Sequence, residues 1–167
     1  MKRIYMLIVA VLATITIANA QTGWISYKGD NRISVKFPAQ PKELSPGSVM
    51  AQSSDSVVYV FTIVDFVQVA NLDSAAIAPM KDSPEFAAQL KVGMKSSLPD
   101  VDFSDFKIGK WKGFTSYTSS GLDSKKKKYD FFMFIIGSKL YSTSTISMDG
   151  KGTKNKEDYF NSITVTN

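Results

Sequence analysis

Ten consecutive residues, VVYVFTIVDF (Val57–Phe66), set the strongest constraint on how this chain can fold. They are β-branched or aromatic almost throughout, the composition of a strand. With so little polar surface to present to water, such a strand must be covered on both faces, in the middle of a sheet with layers on either side. A second apolar run, KYDFFMFIIG (Lys128–Gly137), lies between FKIGKWKGFTSYTSS (Phe106–Ser120) and KLYSTSTIS (Lys139–Ser147). These three read as an antiparallel meander, with Gly137–Ser138 as a tight turn into the last.

The flanking segments supply shorter elements. WISYKGDNRISVKFPAQP (Trp24–Pro41) holds two strand signals around a polar turn at Gly29-Asp30-Asn31. In the second, Ile33, Val35 and Phe37 alternate with Ser34 and Lys36, the period of a strand with one buried face. Pro38 and Pro41 end it, because proline cannot donate to a ladder. Trp24 and Tyr27 are expected to pack the first strand onto the core. KELSPGSVMAQSSDS (Lys42–Ser56) reads as a loop or weak edge strand, and NLDSAAIAPM (Asn71–Met80) as one helical turn or a loop. Ser83 followed by Pro84 is an N-cap with proline at the first helical position. From there Phe86, Leu90, Met94 and Leu98 recur every fourth residue, the stripe of an amphipathic helix that ends before Pro99. The C-terminal segment predicts a short helix over roughly Lys154–Phe160 and a final short strand. Strands, helix, strands, helix, joined by hairpins, give an α+β class: a central antiparallel sheet of about six strands with helices packed on it.

The first twenty residues, MKRIYMLIVAVLATITIANA, have the form of a secretory signal peptide. Lys2 and Arg3 form a basic n-region, Met6–Ile17 an apolar h-region, and Ala18-Asn19-Ala20 a small-x-small cleavage site. The expected division is therefore 1–20 signal peptide and 21–167 a single α+β domain, exported to the periplasm or the medium. No other stretch is long and apolar enough for a membrane helix. Without Lys2 and Arg3 the net charge falls from +5 to +3, which makes no case for a polyanion such as nucleic acid. Cysteine and histidine are both absent from the 167 residues, so thiol nucleophiles, Cys/His zinc sites and histidine general bases are ruled out.

Two clusters are candidates for surface binding. Lys125, Lys126, Lys127 and Lys128 precede the most apolar strand. They suit either an anionic partner or the solvated mouth of a hairpin, where lysine blocks edge pairing. In an extended strand consecutive lysines alternate faces, so at most two would converge. Trp111, flanked by Lys110 and Lys112, has the aromatic–basic interleaving of single-strand nucleic-acid or sugar surfaces, and equally that of a strand residue covering its sheet. Asp100, Asp102 and Asp105 lack the glycine and glutamate of a calcium loop and read as a helix-to-strand connection whose Phe103 and Phe106 dock inward. Asp149-Gly150 is a turn without the spacing of a phosphate loop. No nucleophile elbow appears, and no acid stands out from its surroundings as half of a glycosidase pair.

Several of these segments, in this order, resemble one family of folds. ISVKFP (Ile33–Pro38), GSKLY (Gly137–Tyr141) and FNSI (Phe160–Ile163) are similar to the opening strand, late hairpin and closing helix–strand of small exported bacterial proteins with a PsbP/Mog1-like α/β/α fold, including families of unknown function. The resemblance implies a central antiparallel sheet with helices on it. It brings no catalytic residues, and relatives of that fold serve as assembly or binding factors, so fold does not give function. The reading is a non-enzymatic exported binding or assembly module that needs no cofactor and acts on a protein partner in the cell envelope or medium. The alternative is a carrier that holds a small apolar ligand or lipid between helix 84–98 and the strands. A hydrolase working without His or Cys ranks last.

Overall fold

The computed structural model of the chain describes residues 23–166; the signal-peptide assignment lies outside them. The chain forms eleven strands among the described residues: β1 Ile25–Lys28, β2 Ile33–Phe37, β3 Lys42–Ser45, β4 Ser48–Gln52, β5 Val58–Asp65, β6 Val101–Phe103, β7 Lys107–Trp111, β8 Phe114–Asp123, β9 Lys128–Ile136, β10 Lys139–Ser147 and β11 Thr164–Val165. Four helices accompany them: α1 Phe66–Ala70, α2 Ser74–Ile77, α3 Pro84–Ser97 and α4 Lys156–Asn161. The class is α+β around an antiparallel sheet, as expected, but with more strands than about six.

The larger sheet has eight strands in the order β3-β4-β5-β10-β9-β8-β6, and β7 pairs with β8 on the same side as β6. A separate three-stranded sheet, β1-β2-β11, is antiparallel as well. The extra strands come from two places. Lys42–Ser56 contains the β3–β4 hairpin, whose outer strand has no buried residue and so no alternation to read. Phe106–Ser120 splits at Lys112-Gly113 into β7 and β8, with Trp111 opposite Phe114. Both turn residues have positive φ, 50° and 83°, the two-residue turn whose twist matches a hairpin. The Gly137-Ser138 turn between β9 and β10 is present, with Gly137 at φ 62°.

Both faces of the larger sheet are covered. On one face the small sheet and α4 bury Ile33, Val35 and Phe37 against Tyr59, Phe61, Phe134 and Tyr141. Tyr159 of α4 is fully buried there; its hydroxyl donates to the Val60 carbonyl at 2.8 Å, and its ring meets Tyr59 edge-on at 5.1 Å. On the other face α2 and α3 bury Ile77 and Phe86 against Tyr117, Phe131 and Met133. Strand β9 serves both cores, since Phe131, Met133 and Ile135 point to the helix face and Phe134 and Ile136 to the opposite one. Each such side chain, fully buried, stabilises the fold by about 1.5–3 kcal/mol. One segment departs from its composition. Phe66-Val67-Gln68-Val69-Ala70 is helical because Asp65 caps it, accepting from the Val67 N–H, and Asn71 ends it in the left-handed conformation at φ 54°.

Candidate functional site

The helix face carries an apolar groove of about 530 Å³ between α3 and strands β5, β10 and β9. Its origin lies in how α3 is held. At its N-terminus Ser83 accepts from the Phe86 N–H at 3.2 Å, and Phe86 sinks into the core. Along one flank Lys91 pairs with Asp105 at 2.7 Å, and Lys95 Nζ donates to the Val101 carbonyl at 2.8 Å. The helix is thereby tied toward β6. On its other flank the stripe read from the sequence is only partly covered: Phe86 and Ala87 are buried, whereas Leu90, Met94 and Leu98 are half-buried.

The floor beneath that flank is made of cross-strand rows. Val64 pairs with Leu140, and Thr62 pairs with Ser142, which pairs in turn with Met133. Phe66 closes one end, its ring 6.0 Å from that of Phe86, and Leu72 and Met80 add to that wall. Among the described residues no charged side chain lines the groove; its polar side chains are Thr62, Ser142, Gln89 and Ser97. The stripe on 86–98 and the strand it faces were visible in the sequence. The contribution of Leu72 and Met80 was not, because it depends on where the α1–α2 and α2–α3 connections return over the sheet.

The structure separates the two candidate clusters. Lys110 turns to the helix face, where its Nζ lies 2.7 Å from Asp82 and 3.1 Å from the Thr115 hydroxyl. Those two contacts, Lys110 first, hold the Asp82 carboxyl below its ordinary range. Lys112 lies 4.7 Å from the centroid of the Trp111 ring and donates to the Ile163 carbonyl at 3.2 Å. Trp111 itself faces the opposite side of the sheet, with its ring 4.6 Å from Phe134 and 5.7 Å from Phe132. Lys112 thus packs on Trp111, while Lys110 stands apart from both on the other face of the sheet.

The lysine run sits at the mouth of the β8–β9 hairpin, but not as an extended strand. Lys125, Lys126 and Lys127 belong to the connection and only Lys128 to β9, so alternation of faces does not govern them. Asp123 organises the turn by accepting from the backbone N–H groups of Lys125 and Lys127, each at 2.8 Å. Desolvation acts to raise the Asp123 carboxyl, but those donors and the Tyr129 hydroxyl outweigh it and lower the net value. Gly150, at φ 73°, lies against this turn, and a Cβ there would fall 2.6 Å from the Lys126 carbonyl oxygen. Among the described residues Lys125–Lys128 make no side-chain ion pair.

No family model and no curated protein matches the chain. Among solved structures it is similar to the solution structure of cyanobacterial PsbP (CyanoP) from Synechocystis, at 14% identity and a TM-score of 0.48, over 87% of this chain and 96% of that one. It is also similar to a crystal structure from Bacteroides thetaiotaomicron, at 11% identity and a TM-score of 0.41, over 81% of this chain and 45% of that one. The chain thus spans less than half of the Bacteroides structure. The PsbP-like resemblance read from the sequence motifs has its counterpart in the Synechocystis structure; it concerns the fold alone, and neither structure lends residue roles to this chain.

Proposed function

We propose that the chain is an exported, non-enzymatic binding module that carries an apolar ligand with a small polar end in the groove beside α3. The observation that carries this reading is the half-buried stripe Leu90, Met94 and Leu98 facing Val64, Met133 and Leu140 across about 530 Å³. That volume lies within the range of small-molecule sites, which are mostly apolar with a few placed polar groups. Here Thr62 and Ser142 would take the polar end, with Gln89 and Ser97 at the rim. The absence of charge from the lining favours an uncharged or weakly polar occupant, since a buried ion needs a partner. A carrier role fits the lining better than catalysis does. Its hydroxyls have no histidine to activate them, because the chain contains none.

The test is native mass spectrometry of protein purified from its own host, followed by melting in the presence of a medium-chain fatty alcohol. Saturation at a hundredfold the dissociation constant stabilises by about 2.7 kcal/mol, a shift of several degrees at this size. The same experiment on Met94→Glu, which sets a charge in the apolar groove, should show a folded protein by circular dichroism with no adduct and no shift. A wild-type protein free of apolar adducts and unshifted by the alcohol would refute the carrier. Crosslinking in the host to one protein through the groove rim would replace it with the assembly reading.

A further inference from the structure

The face opposite the groove carries a second, independent cleft of about 540 Å³ where the small sheet and α4 stop short of β7 and β8. Its two walls repeat one arrangement. On β7, Lys107 and Trp111 are four residues apart on one side of the strand; on α4, Lys156 and Phe160 are four apart on one side of the helix. Phe132 forms the floor, 5.7 Å from the Trp111 ring and 5.8 Å from Phe160. Beside it Thr118 pairs with Phe132 and Ser120 with Asp130.

Asp130 is the unusual member. Period-2 alternation puts its carboxylate on the same side as Phe132 and Phe134, and only 7% of the residue is exposed. Its carboxylate pairs with Lys156 Nζ at 3.8 Å, which also lies 3.6 Å from Glu157; among the described residues no side-chain donor hydrogen-bonds it and no buried polar atom is without a partner, so its oxygens open onto the cleft. A carboxylate has room for about four donors, so most of its acceptor capacity stays free for a molecule in the cleft. Asp130 therefore presents a hydrogen-bond acceptor to an aromatic-walled cleft.

The charges around it decide what kind of donor fits. Lys107 and Lys156 stand against an organic cation, and Asp130 and Glu157 against a phosphate or other anion. What remains is a neutral molecule with one apolar face for the aromatic rings and a rim of hydroxyls. Those hydroxyls would donate to Asp130 and accept from Lys107, Lys156 and Asn161. From the aromatic walls, the balanced charges and the cleft-facing Asp130 carboxylate, we propose that this cleft is a carbohydrate-binding site.

Titration calorimetry with neutral trisaccharides of glucose, mannose, galactose and N-acetylglucosamine tests the assignment. At least one should bind, and Asp130→Asn and Lys156→Ala should each weaken it tenfold or more. Because Trp111 also packs on Phe134, its truncation is a poor sole test. Asp130→Asn is the better one, since it keeps the side chain's shape and removes only a long, partly exposed ion pair, so the protein should stay folded while saccharide binding is lost. Three results would overturn the proposal. One is no heat with any trisaccharide, and another is binding of tetramethylammonium or inorganic phosphate in their place. The third is an Asp130→Asn protein that melts lower yet binds the saccharide as before, which would make Asp130 a structural charge.

Discussion

Asp30 ties the β1–β2 turn to the larger sheet, and its replacement gives a worked test of how the two sheets are joined. Its Oδ1 accepts from the N–H groups of Arg32 at 2.8 Å and Ile33 at 3.0 Å; its Oδ2 accepts from the Tyr141 hydroxyl at 2.9 Å and Lys139 Nζ at 3.3 Å. In Asp30→Asn the turn bonds at Oδ1 survive, but the amide nitrogen that replaces Oδ2 faces two donors. The bond from buried Tyr141 to a charged acceptor is worth about 1.5–3 kcal/mol. The Lys139 pair adds less than about 1, because the lysine is 37% exposed and screened. Asp30→Asn should therefore cost about 2–3 kcal/mol in urea unfolding at neutral pH. A double-mutant cycle with Tyr141→Phe should return most of that as coupling.

The same contacts set the pH dependence. Partial burial raises the Asp30 carboxyl, but the Arg32 N–H, the Tyr141 hydroxyl, the Ile33 N–H and Lys139 together overcome it and hold the carboxyl below its ordinary value. A lowered folded-state pKa contributes stability in full above the unfolded value of about 3.9, and that contribution disappears as the pH falls through the folded value. Wild type and Asp30→Asn should converge only in that acid range. A gap under about 0.5 kcal/mol at neutral pH, or one that persists unchanged at the lowest pH where both fold, would refute the reasoning.

Other positions make separate predictions. Gly93 lies within α3 with open space where a Cβ would go, so Gly93→Ala should stabilise by about 0.5–1 kcal/mol in thermal melts. Gly150→Ala forces a side chain into the left-handed region and against the Lys126 carbonyl, and should cost about 1–3 kcal/mol, read from denaturant unfolding. Burial raises the phenols of Tyr117, Tyr141 and Tyr159, helped by Asp82, Asp30 and Tyr59 respectively. A raised phenol contributes stability below its unfolded pKa of about 10 that is lost as pH rises through the folded value. In the native protein these three should stay silent in phenolate absorbance at pH about 11, and titrate near 10 in urea.

Wherever burial was one-sided, the sequence could be read directly. Ile33, Val35 and Phe37 alternate with polar neighbours and are all within 1% of full burial, so β2 was plain. β3 was not, because Lys42–Ser45 is exposed throughout and joins the sheet only through backbone pairing with β4. α1 was hidden by its valines, whose strand preference is overruled by the caps at Asp65 and Asn71. For the groove, the stripe on α3 was legible, but its distance from the floor is set by Lys91 and Lys95 on the far flank. Asp130 could have been found: an acid at a position whose period places it with Phe132 and Phe134 is pointing inward.

Strand β9 has a consequence for how the domain assembles. Its nine residues face both cores, so neither the meander alone nor the large sheet with a single covering layer can hide them. One covering layer, β1-β2-β11 with α4, is built from the two ends of the described chain, and the other from its middle. A half-built sandwich would display a stripe of phenylalanine or of methionine and isoleucine, the kind of surface that aggregates. Folding is thereby pressed toward a single cooperative step, in which the last segment, Thr164–Val165, must pair with β2 before the middle of the protein is safe from its neighbours.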